Sequence, residues 1–165
     1  MFGVSYPLTK APLLIACCLM LAACGPTPQK RTRYEIEGTQ PERVARAITI
    51  LAKYCQLPGL LLDAHMAEDI ADNSGGMVPG PSDSYLSGVI TFAASDLPAW
   101  RATLSPQLQV TETAEFHSVL NAPDWWPASA AFAGCEFYSP RKLTGRSGGF
   151  VALSPSVSAI YFSTF

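Results

Sequence analysis

Residues 11 to 23, APLLIACCLMLAA, form an uncharged apolar run of 13 residues broken only by Pro12. No other stretch limits the chain's options so tightly. A helix needs about 20 apolar residues to cross a bilayer, so this run is too short to span one. It also lacks the polar face of a helix that packs on a domain surface. Ahead of it, MFGVSYPLTK carries a single charge, Lys10. A basic start, an apolar stretch of this length and small residues at its end mark a secretory signal peptide. These residues are expected to leave the chain rather than join its core.

The run ends in Leu21-Ala22-Ala23-Cys24-Gly25. This resembles the lipobox of bacterial lipoproteins: Leu, two small residues, then the Cys at which the signal peptidase cuts. The resemblance covers residues 1 to about 25 and implies nothing about the fold beyond. It implies that Cys24 becomes the mature N-terminus, carries a diacylglyceryl thioether and is usually acylated on its amine as well. Two or more chains anchor a protein stably where one gives only marginal binding. In diderm bacteria an Asp after the Cys tends to retain lipoproteins in the inner membrane. Gly25 therefore implies the outer membrane, with the protein on its periplasmic face. Residues 1–23 are then the signal peptide, 24–33 the lipidated Cys and a tether, and 34–165 a single domain. The tether expectation rests on GPTPQKRTR, which has two prolines, three cations and no large apolar side chain.

Loss of Lys10 leaves 10 basic and 13 acidic side chains, a net charge near −3. That balance, without a basic stripe, argues against a nucleic-acid partner. Of the five cysteines, Cys17 and Cys18 leave with the signal and Cys24 is lipidated. Cys55 and Cys135 remain, in a compartment where disulfides persist. A bridge between them would close a loop of about 80 residues, worth about 4.5 kcal/mol in the chain-entropy model. Two separately buried thiols are the alternative.

Helical signals are strongest at 40–55. Thr39-Gln40-Pro41-Glu42 reads as a capping box with Pro in the first turn. Val44, Ile48, Leu51, Ala52 and Cys55 then recur at helical spacing. PGLLLDAHMAEDIAD is expected to form a second helix, and Ser95-Asp96-Leu97-Pro98 to cap a short one carrying Trp100 and Leu104. Strands are expected in YEIEG, YLSGVITFAAS, QLQVTETAEF, CEFYS, GGFVALS and SAIYFSTF, the last three joined as a meander. NSGGMVPGPSDS reads as a loop, and no internal repeat stands out. The fold class expected is α+β: a mainly antiparallel sheet covered by one long N-terminal helix and one or two shorter ones.

Chemical motifs are sparse. Gly145-Arg146-Ser147-Gly148-Gly149 matches G-x-S-x-G and looks like the GDSGG stretch of chymotrypsin-type proteases, with Arg146 in place of Asp. A nucleophile elbow needs a strand before the serine and a helix after it, whereas here a strand follows. His65 and His117 lie far apart, without the ligand spacing of a metal site. No catalytic residue, metal ligand or cofactor is assigned. Asp124-Trp125-Trp126-Pro127 sets two tryptophans between prolines. One can pack while the other stays partly exposed, so Trp125 and Trp126 are the candidate partner-binding residues, with core packing as the alternative. The function expected is a lipid-anchored envelope protein whose domain binds or scaffolds another envelope component without chemistry. An inhibitor or immunity-type lipoprotein, or an envelope hydrolase, is the alternative.

Overall fold

The computed structural model describes residues 30–73, 82–108, 119 and 122–165. Six strands form one sheet: β1 Lys30–Glu35, β2 Leu61–Asp72, β3 Asp83–Phe92, β4 Glu136–Tyr138, β5 Gly149–Ser154 and β6 Ala159–Thr164. Their spatial order is β1-β2-β3-β6-β5-β4, and every neighbouring pair is antiparallel. The helices are α1 Gln40–Leu51, α2 Leu97–Leu104 and α3 Arg141–Thr144.

This corrects the expected fold class. Among the described residues there is no long N-terminal helix, and the longest helix, α1, has 12 residues. At about 1.5 Å per residue it spans only about 18 Å. It starts where the capping box predicts, with the Thr39 amide and hydroxyl both donating to Glu42 Oε2 at 2.8 Å. It stops four residues before Cys55. Once Leu51 is fully buried, the amides of Tyr54 and Cys55 both turn back to its carbonyl, and Pro58 bars continuation.

The expected second helix is also corrected, because LLDAHMAEDIAD is strand β2. Its Ala, Met and Glu favour helix, but β1 and β3 flank it on both sides and cross-strand pairing outweighs that preference. A bulge between Leu61 and Asp63 turns Leu62 outward. Of the strand expected in QLQVTETAEF, residues 109–116 lie outside the described residues, and Gln107 bridges to Tyr138.

Alternate residues of the central strands bury on opposite faces. On one, Val151, Leu153, Ile160 and Phe162 meet Ala47 and Leu51 of α1, Trp100 and Leu104 of α2 and Leu143 of α3. On the other, Phe150, Ala152, Ala159 and Tyr161 meet Trp126, Phe132 and Phe137. Burial on both faces explains why the C-terminal strands read as nearly continuous apolar runs. The connectivity repeats: strand, helix, strand, strand from β1 to β3, then again from β4 to β6. The halves meet at β3 and β6, where Val89 pairs with Tyr161, and the order 1-2-3 is mirrored as 6-5-4.

Candidate functional site

Cys24 and the lipobox lie outside the described residues, as does His117. The basic triplet expected in the tether is part of β1. Arg33 donates from Nε and Nη2 to the two Asp69 carboxylate oxygens, both at 2.8 Å, and this bond raises the guanidinium's pKa above its usual value. The Arg31 guanidinium lies 5.8 Å from the centroid of the Tyr85 ring. The sheet thus begins six residues after Cys24.

Cys55 and Cys135 are free thiols, and the bridge between them is corrected. Cys55 packs with the helix-covered core and Cys135 with the aromatic core, so the sheet itself stands between them. Burial pushes both thiols up, away from the reactive thiolate.

The two tryptophans take different places. Trp126 is 9% exposed and its ring lies 6.1 Å from that of Phe132. Trp125 is half-buried, 6.2 Å from Trp126, and stacks on His65 with centroids 5.7 Å apart and planes at 25°. His65 Nε2 is 3.6 Å from Asp63 Oδ2. Asp63 Oδ1 accepts Arg43 Nη2 and the Ala64 amide, each at 2.7 Å. Burial tends to raise the Asp63 pKa, but the Arg43 and Ala64 hydrogen bonds with the charges of Arg43 and His65 outweigh it and hold it low. A linked array therefore runs from α1 through β2 to Trp125. Sequence reasoning missed it, because Trp125 lies 60 positions after His65 and no local pattern joins them.

A second feature lies on the helix side of the sheet. Between the end of α1 and the β1–β2 edge is a cleft of about 250 Å³. Ile36, Ile50, Met66 and Leu86 form its floor, and Tyr34, Lys53, Tyr54, Glu68 and Arg146 its walls. Tyr34 is 60% and Tyr54 52% exposed, so two phenol rings stand at its mouth. Arg146 is pinned there: Nη1 donates to the Ser84 carbonyl at 2.5 Å and Nη2 to Glu68 Oε1 at 2.8 Å. The Ser84 hydroxyl also donates to Glu68 Oε1. Beyond Tyr54, an open depression continues past Ile48, Ala52 and Leu57.

The G-x-S-x-G segment supplies this wall. Gly145 ends α3 with a left-handed φ of +73°, and a Cβ there would lie 2.5 Å from the Tyr54 ring. Only glycine lets the ring pass. Ser147 is exposed, with a helix before it and a strand after it, the reverse of a nucleophile elbow. Among the described residues, no group of three or more His, Cys, Asp or Glu could hold a metal ion, and no helix is long and apolar enough to cross a membrane. No protein-family model, curated protein or solved structure matches the chain.

Proposed function

We propose that this chain is an envelope lipoprotein, anchored through Cys24 in the outer membrane, whose periplasmic domain binds another envelope protein and carries out no chemistry. The observation that carries the binding half is the cleft, an apolar floor beneath two exposed tyrosines and a fixed guanidinium. Tyrosine and arginine are the side chains that dominate protein interfaces, because each combines a large contact area with a polar tip. The floor takes an apolar side chain of the partner, and the Tyr54 depression extends the contact along α1. The inverted setting of Ser147 favours this reading over the hydrolase. The lipobox pattern supports the anchoring half.

In-cell photocrosslinking tests the reading. A photoreactive residue is placed at Tyr54 in one version of the protein and at Trp125 in another, and adducts are identified by mass spectrometry. One specific protein adduct is expected at Tyr54. An adduct at Trp125 alone would move the binding surface to the His65 array. Adducts at neither position, with fluorophosphonate labelling of Ser147, would replace binding by hydrolysis.

A further inference from the structure

An aromatic and cationic cluster lies at the rim of the sheet where β1 begins. The register sets Lys30 against Asp72, Ala71 against Asp83 and Leu86 against Thr164, so the start of β1, the start of β3 and the end of β6 share this rim. Tyr85 and Phe165 lie side by side on one face, their centroids 6.3 Å apart, and Arg31 rests over Tyr85. Phe165 is 69% exposed, and Tyr85 is also exposed. Other large apolar side chains among the described residues are exposed too, but here two exposed rings touch each other and a guanidinium lies over one of them.

We infer that this rim is where the domain meets the lipid surface that holds its anchor. The inference rests on the reading of Cys24 as lipidated, and chain length carries it. Lys30 stands six positions after Cys24, and a fully extended chain gains at most about 3.5 Å per residue, so the leash reaches no more than about 20 Å. A domain of this size is about 35 Å across. The leash is shorter than the body it holds, and the rim that carries Lys30 cannot stand far from the bilayer. The side chains there suit such a place. Aromatic rings settle at the headgroup level, and an arginine buries its stem while its head stays hydrated. Asp72 and Asp83 offset Lys30 and Arg31 in charge, so the contact is aromatic rather than electrostatic and changes little with salt.

The test uses the full chain in cells. A benzophenone amino acid replaces Phe165 in one version and Val157 in another. Val157 is 59% exposed and lies in the turn after β5, at the opposite end of β6. After irradiation, lipid adducts are measured at each position, and the mass of the N-terminal peptide reports on Cys24. The expected result is lipid on Cys24 and several-fold more lipid adduct at 165 than at 157, reduced by Tyr85→Ser. Lipid on Cys24 with equal adducts at the two positions would overturn the inference alone. An unmodified Cys24 would overturn the anchoring reading and this inference with it.

Discussion

Tyr138 shows how one side chain ties β4 to α2. Its phenol donates to Glu136 Oε2 at 2.8 Å, and the same carboxylate accepts Arg101 from α2 through Nε at 2.9 Å and Nη2 at 2.5 Å. Burial first, and the Glu136 carboxylate second, push the phenol up to about 12. In the unfolded chain it titrates near pH 10. The folded state therefore holds this proton more tightly, and the stability it contributes is complete below about pH 10 and lost as pH rises toward about 12. Tyr138→Phe should flatten that alkaline decline, read from urea midpoints at about pH 9 and about pH 11. A decline as steep as in the parent protein would assign the alkaline loss to other groups. Little of this chemistry was legible in the sequence. CEFYS reads as a strand, but nothing in it announces an arginine 35 residues upstream. The tryptophan pair was more open to reading: of the two adjacent bulky rings Trp126 is buried, while Trp125 is only half-buried against the same aromatic core. Stacking on His65 was not, for it depends on where β2 lies.

At the scale of elements, α2 and the strands β3, β5 and β6 lie where turn residues and apolar runs put them, while α1 and β2 do not follow their patterns. In α1 the periodic residues continue to Cys55, but the spacing of apolar side chains carries no mark for a helix that stops once its last leucine is buried. In β2, Leu62 and Met66 are four residues apart and would share one face of a helix. The bulge near Leu61 instead leaves Leu62 51% exposed and Met66 2% exposed. Met66→Ala is accordingly expected to cost about 2–5 kcal/mol, and Leu62→Ala no more than about 0.5 kcal/mol, in denaturant unfolding. Equal costs would restore the helical reading of this segment.

Across the whole molecule, the sheet makes two different surfaces from one set of strands. Its helix-covered face offers a cleft and its aromatic face carries the Trp125 array, while the two thiols are kept apart. The repetition of strand, helix, strand, strand was invisible in the sequence, for a physical reason. The halves share connection order, not side chains, and the helix of 12 residues in the first corresponds to one of 4 in the second.

The mirrored order has a consequence for where the chain can be opened. The start of β1 and the end of β6 lie on the same rim with β2 and β3 between them, three strand spacings or about 14 Å apart. A linker of about six glycine and serine residues covers that distance. A permuted chain would begin at Gln109, run through β4 to β6, cross the linker to Lys30 and finish at Leu108. It should close the same sheet, with the parent's far-ultraviolet circular dichroism and a single unfolding transition. If that transition is lost, the order in which the halves are joined matters to folding as well as their contacts. If it is kept, each half supplies its own share of the sheet and the covalent path between them is interchangeable.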